Sequence, residues 1–286
     1  MSTNEPIRRV SVLSTGHVQI RPDHEASTWR PTLWWLLTSQ QWTGPRPINV
    51  YVIEHREGIV LFDLGQDRAS VTEPDYFPGG ITRILYNRLA RFEIRPGETL
   101  SAGLNELGYK TGDVRTAIVS HLHQDHIGGL RELRHAEIVV SRKEWSTLSG
   151  FLPEVNGLLK RHIDLPGLNW QRIEPEPTDD PGLSPFAARH DLFGDGSLVL
   201  LPTPGHTPGS MSLLVRQARR PPLLLVGDLT YDVHLFENGR VPGVGNRRQL
   251  RQAMTKIQTL REKLPGLVIL PAHDPGAADR LAQTQL

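Results

Sequence analysis

The stretch SHLHQDHIGGL, residues 120–130, sets three histidines and an aspartate within six positions and closes on a glycine pair. It ends the apolar, β-branched run Thr116–Ser120, which reads as a strand. Strand side chains alternate, so His121 and His123 project to the same side, with Asp125 two residues further on. His126 then falls in a turn that Gly128 and Gly129 allow to fold back closely on itself. Four ligand-type groups thus converge on one small volume. Taken alone, the stretch reads either as a histidine-rich polar turn or as half of a metal site. The chain has no cysteine, so a divalent ion would be held by imidazole and carboxylate, which zinc and similar ions accept.

Three later segments favour the metal reading. Each carries a ligand-type residue directly after an apolar strand. LLPTPGHTPGS delivers His206, PPLLLVGDLTY delivers Asp228, and GLVILPAHDPG delivers His273. If those strands run alike, all three residues sit at one end of a sheet, where α/β folds place their chemistry.

Further strands are expected at Val10–Leu13, Ile48–Ile53, Ile59–Phe62, Ile138–Val140, Ser197–Leu201, Met211–Val215, Leu223–Val226 and Val268–Leu270. ITRILYNRLARF, residues 81–92, reads as an amphipathic helix with Ile81, Ile84, Leu85, Leu89 and Phe92 on its apolar face. NRRQLRQAMTKIQTLREKL, residues 246–264, reads as another, with Asn246 as N-cap and Leu250, Ala253, Met254, Ile257, Leu260 and Leu264 on its stripe. The Pro- and Asp-rich segment 173–185 reads as a loop between two halves. Residues 21–47 match neither a helix nor a strand pattern, yet hold Trp29, Trp34, Trp35 and Trp42. Those aromatics could form an internal mini-core, a dimer contact or a wall of a ligand pocket.

With 286 residues, 38% hydrophobic and 22% charged, the chain has the balance of a globular α/β protein with a sizeable core. Its formal net charge of +1 argues against a nucleic-acid partner. No apolar run approaches the ~20 residues of a membrane span. The start MSTNEPIRRV lacks a secretory apolar core, so a cytoplasmic location with no membrane partner is expected.

His-x-His-x-Asp-His, Gly-His-Thr-Pro-Gly, Gly-Asp and the C-terminal histidine together resemble the metallo-β-lactamase superfamily, from about residue 48 to 275. The resemblance implies an αβ/βα sandwich, two mixed sheets flanked by helices. It would form a single domain over 1–286, with a Trp-rich loop insert at 21–47 and a helical insert at 66–110. It also implies two divalent metal ions, zinc first, with manganese, iron or cobalt as alternatives. His121, His123 and His206 would bind one ion, Asp125, His126 and His273 the other, and Asp228 would bridge them. Asp63, in FDLGQ, would support the ligand loop.

A bridging carboxylate sets the chain apart from the true β-lactamases. Asp228-x-x-Tyr231, followed by a Val-Pro-Gly, resembles the N-acyl-homoserine lactonases, the quorum-quenching branch. In that branch the tyrosine reaches the substrate carbonyl, so Tyr231 and Asp125 are the candidate catalytic groups, as oxyanion donor and proton shuttle. A buried tyrosine satisfied at a strand end is the competing reading of Tyr231. The expected reaction is metal-dependent hydrolysis of a small-molecule lactone or ester, by a hydroxide shared between the ions. A glyoxalase II-like ester or thioester hydrolase, or a β-lactam hydrolase on the same site, is the alternative. A homodimer would cover the tryptophans. His17, His24, His55, His135, His162 and His190 lack ligand spacing and read as ordinary surface or core groups, while His234 is a candidate pocket residue.

Overall fold

Apolar runs that alternate or are continuous pair into two sheets in the computed structural model, which describes residues 5–285. The first sheet contains β1 (Ile7–Ile20), β2 (Arg46–His55), β3 (Gly58–Phe62), β4 (Ala90–Glu93), β5 (Val114–Ile118), β6 (Glu137–Ser141) and β7 (Asn169–Ile173), ordered β4-β1-β2-β3-β5-β6-β7. The second contains β8 (Glu176–Pro177), β9 (Ala188–Asp191), β10 (Leu198–Pro202), β11 (Met211–Val215), β12 (Leu223–Gly227) and β13 (Val268–Pro271), ordered β13-β12-β11-β10-β9-β8. Both are mixed: β3, β5, β6 and β7 pair in parallel, as do β12 and β13, and the remaining pairs are antiparallel.

The sheets stack on Tyr51, Phe62 and Ile118 from one side and Leu200, Leu213 and Leu225 from the other, all buried. The outer face of the second sheet is covered by the helix Arg247–Lys263. Leu250, Ala253, Met254, Ile257 and Leu260 are buried there as its stripe predicts, and the Asn246 side chain caps it by accepting from Arg248 and Gln249 amides. On the outer face of the first sheet, Leu100 and Leu104 of the helix Leu100–Glu106 pack with Leu13 and Val52. The result is the helix–sheet–sheet–helix layering expected. The segment 173–185 is where the chain passes from the first sheet to the second, though it includes the short strand β8.

Three expectations are corrected. Residues 21–47 are not irregular: they form the helices Pro22–Glu25 and Thr32–Thr38 and the start of β2. Their tryptophans divide, with Trp35 fully buried, Trp42 in contact with the guanidinium groups of both Arg21 and Arg91, and Trp29 and Trp34 exposed. The helix read at 81–92 runs Gly80–Leu89 and gives way to β4, where Phe92 pairs with Val18 and packs, partly buried, on the cluster of Val18, Ile20 and Ile48. Ile84 is exposed and Tyr86 takes the inward position instead. Finally, β7, β8 and β9 were not expected; they are edge or near-edge strands whose polar side chains hide the alternation.

Among the described residues no helix is long and apolar enough to cross a membrane. The reading of the N-terminus rests partly on residues 1–4, which lie outside the described residues.

Candidate metal centre

The ends of β3, β5, β10, β12 and β13 meet at one edge of the sandwich, and each releases a polar residue into the gap. After β5 the chain makes two short 3-10 turns, Gln124–His126 and Gly128–Glu132. The turn is tight enough that a Cβ on Gly128 would stand 2.2 Å from the Asp67 amide nitrogen, so glycine is required there.

All seven candidate ligands come together. His121, His123 and His206 present ring nitrogens within 4.8 Å of one another; so do the ligand atoms of Asp125, His126 and His273, and those of His121, His126 and Asp228. Asp228 lies between the groups. Its Oδ1 is 3.2 Å from His126 Nε2 and 3.3 Å from His273 Nε2, and its Oδ2 is 3.5 Å from His206 Nε2. Asp125 Oδ2 is 3.5 Å from His273 Nε2.

Anchors behind the rings fix which nitrogen faces inward. His126 Nδ1 is 2.8 Å from Asp63 Oδ2, His273 Nδ1 is 3.0 Å from the Pro47 carbonyl, and His121 Nδ1 is 3.0 Å from Ser120 Oγ. In each ring Nδ1–H donates outward and the Nε2 lone pair is left for the centre. His123 is turned the other way, with Nε2 3.2 Å from the Asn156 carbonyl and Nδ1 inward. Asp63 also accepts from the Ser120 amide and hydroxyl, at 2.8 and 3.0 Å. It therefore supports the ligand loop as expected.

The donor set fits divalent cations. His126 Nε2, His273 Nε2 and Asp228 Oδ1 are buried with no hydrogen-bond partner, which is costly unless a cation joins them. The electrostatics agree. Burial pushes His126 and His273 down, but Asp228 and the neighbouring carboxylates outweigh it and lift both above the usual histidine range. Burial alone would raise Asp228, yet His273 and His126 hold it well below the carboxylate range. His121 and His206 are instead held well below the histidine range, chiefly by burial.

Tyr231 is buried beside the cluster. Its ring stacks on His273 with centroids 5.7 Å apart, and its hydroxyl oxygen is 2.9 Å from His24 Nε2. Burial, with Asp228 and Asp125 nearby, raises its pKa well above that of a free phenol, so it stays protonated. His234 is exposed on the helix Val233–Glu237.

The Lactamase_B sequence profile, described as the metallo-beta-lactamase superfamily, matches residues 43–273. The chain belongs to this superfamily. It is 30% identical over 235 residues to the N-acyl homoserine lactonase AttM of Rhizobium radiobacter, covering 81% of this chain and 83% of that protein. Its fold matches, with a TM-score of 0.75 and 23% identity over 94% of each chain, an N-acyl homoserine lactone hydrolase solved with N-hexanoyl-L-homoserine at its catalytic metal center. It also matches AidC, a dizinc quorum-quenching lactonase, with a TM-score of 0.61 and 16% identity over 96% of this chain and 92% of that one.

Three residues at this superfamily centre escaped the sequence reading. His24, read there as ordinary, contacts Tyr231. Arg46 donates to the backbone carbonyls of Tyr231 and His273, at 3.0 and 3.3 Å, and pairs with Glu25 and Asp232. Glu144, fully buried, accepts from the amides of Leu122 and Gly209, each at 3.0 Å, and from the Thr207 hydroxyl at 2.7 Å. Glu144 stands in the polar run Ser141-Arg142-Lys143-Glu144, so nothing local marks it or the other two.

Proposed function

We propose that the protein hydrolyses the lactone ring of N-acyl homoserine lactones on two divalent ions, zinc in the first instance. His121, His123 and His206 would hold one, Asp125, His126 and His273 the other, with Asp228 shared. Bound there, such ions supply a water of near-neutral pKa and a Lewis acid for the carbonyl.

The chain's own groups then do three things. Tyr231, kept protonated by its buried setting, donates a hydrogen bond to the ring carbonyl oxygen as that oxygen gains negative charge. Asp125 carries the proton to the ring oxygen as the acyl C–O bond breaks, so that it leaves as a hydroxyl rather than an alkoxide. The water oxygen ends in the new carboxylate, giving an N-acyl homoserine. His126, His273 and His121, pinned through Nδ1, keep their free nitrogens aimed inward throughout.

The observation that carries this reading is the buried Tyr231 hydroxyl beside Asp228 and His273, at the position after Asp-x-x that marks the lactonase-like motif. The one-domain organisation and a homodimer covering Trp29 and Trp34 belong to the same reading.

The test is hydrolysis, by metal-loaded protein, of short- and long-chain N-acyl homoserine lactones alongside S-lactoylglutathione and a chromogenic β-lactam. A kcat/KM for the lactones at least about tenfold above the other substrates supports the proposal. Inert lactones with turnover of another ester or thioester would overturn it and leave a hydrolase of different specificity.

A further inference from the structure

Tyr231 has one proton to give and a choice of two directions for it. Its hydroxyl oxygen lies 2.9 Å from His24 Nε2, and the two rings meet edge to face with centroids 5.4 Å apart. If the phenol donates to His24, its proton is spent there and is not offered to a ligand in the cleft. His24 must then carry its own proton on Nδ1, which is buried and has no partner. An orphaned buried N–H is rare and costly. If His24 carries its proton on Nε2, the phenol proton is free for the cleft, and Nδ1 is left with an unmet lone pair in place of an orphaned N–H, the lesser cost.

We propose that His24 is a positioning residue for Tyr231: its Nε2–H donates to the phenolic oxygen and thereby turns the phenol proton into the cleft. A donor on that oxygen also stabilises charge there, making the phenol a stronger hydrogen-bond donor. The inference rests on the lactone-opening reading for the substrate atom that Tyr231 meets, but the donor direction at His24 can be read without any substrate.

His24 is held for this task from several sides. Its ring packs against the buried Trp35 at 5.9 Å. Its amide donates to the Arg21 carbonyl at 2.9 Å, and its carbonyl accepts from the Gly243 amide at 2.8 Å. The segments meet so closely that a Cβ on Gly243 would lie 1.7 Å from the Asp23 carbonyl oxygen. Arg46 joins the same helix to the Tyr231 backbone through Glu25. Burial lowers the His24 pKa to about 4 against the opposing pull of Asp228 and Asp125, so the ring is neutral and carries a single N–H. The Pro22–Glu25 helix and the Val-Pro-Gly turn thus lock one imidazole beside the tyrosine.

The deciding experiment combines spectroscopy and kinetics on the zinc-loaded protein. Nitrogen-15 NMR of labelled histidine should show His24 protonated on Nε2 and bare on Nδ1. The opposite tautomer would overturn the proposal whatever the activity. H24L should lower kcat on a lactone roughly tenfold, the worth of one hydrogen bond, with KM and zinc content unchanged. H24Q, whose amide can donate from the same place, should recover most of that loss. In a Y231F background H24L should cost nothing further. A loss of the same size with and without the tyrosine hydroxyl would make His24 a packing residue only and sink the idea. If H24L does not fold, the tautomer and H24Q decide. If no lactone turns over but His24 is protonated on Nε2, the substrate assignment falls and the positioning of Tyr231 stands.

Discussion

His123 and His24 both point toward one cleft, yet they reach it by opposite routes. His123 belongs to a loop in which four of six residues are ligand-type, carried on the end of β5 and turned by Gly128. His24 sits on a single helical turn whose neighbours in sequence say nothing about its role. It is placed by Trp35, by the Gly243 amide some two hundred residues away, and by Tyr231. When one turn must deliver several groups, their spacing is compressed into the sequence. When a group is set by packing between distant segments, no spacing survives to be read.

That contrast can be broken at either end. The largest effect is expected at the compact loop and its partners: His121→Ala or Asp228→Ala should abolish metal loading and turnover together, as metal analysis and a lactone assay would show. Full activity in either variant contradicts the ligand assignment. Next, Tyr231→Phe should lower kcat by about a hundredfold with metal content intact, the scale of losing one oxyanion donor. An unchanged rate would return Tyr231 to a packing role. Asp63→Asn should weaken metal affinity by roughly 10–100-fold, because His126 loses its anion while its ring stays in place; competition with a chelator measures it. Smallest of all, in protein dilute enough to be monomeric, Trp34→Ser, on the exposed face of the Thr32–Thr38 helix, should shift folding stability by no more than about 0.5 kcal/mol in thermal denaturation. At concentrations where the proposed dimer forms the shift should grow, and a shift that stays small at every concentration would remove Trp34 from the dimer contact.

Legibility followed the same division. The strand ends bearing His206, Asp228 and His273 could be read because buried strands are continuous apolar runs and the polar residue after each stands out. Asp63 could be read from its motif, and the helix Arg247–Lys263 from its stripe and cap. The helix at 80–89 was misread past its end because Phe92 satisfies a helical period and a strand period equally, and only the partner strand β1 decides between them. The helices at 22–38 were missed for a related reason. They are one or two turns long, too short for periodicity to accumulate, and tertiary contacts rather than intrinsic preference hold them.

Glu144 follows β6 of the first sheet, yet its carboxylate grips Leu122, between two histidines of one loop, and Thr207 and Gly209, beside the histidine of another that follows β10 of the second sheet. The spacing between the jaws of the ligand cleft is therefore set from beneath, by an atom group that no substrate touches. The exposed face of the Thr32–Thr38 helix, which carries none of the ligands or their anchors, can be rewritten through descent without retuning them. A scaffold built in this way can change what it accepts while keeping the chemistry it performs.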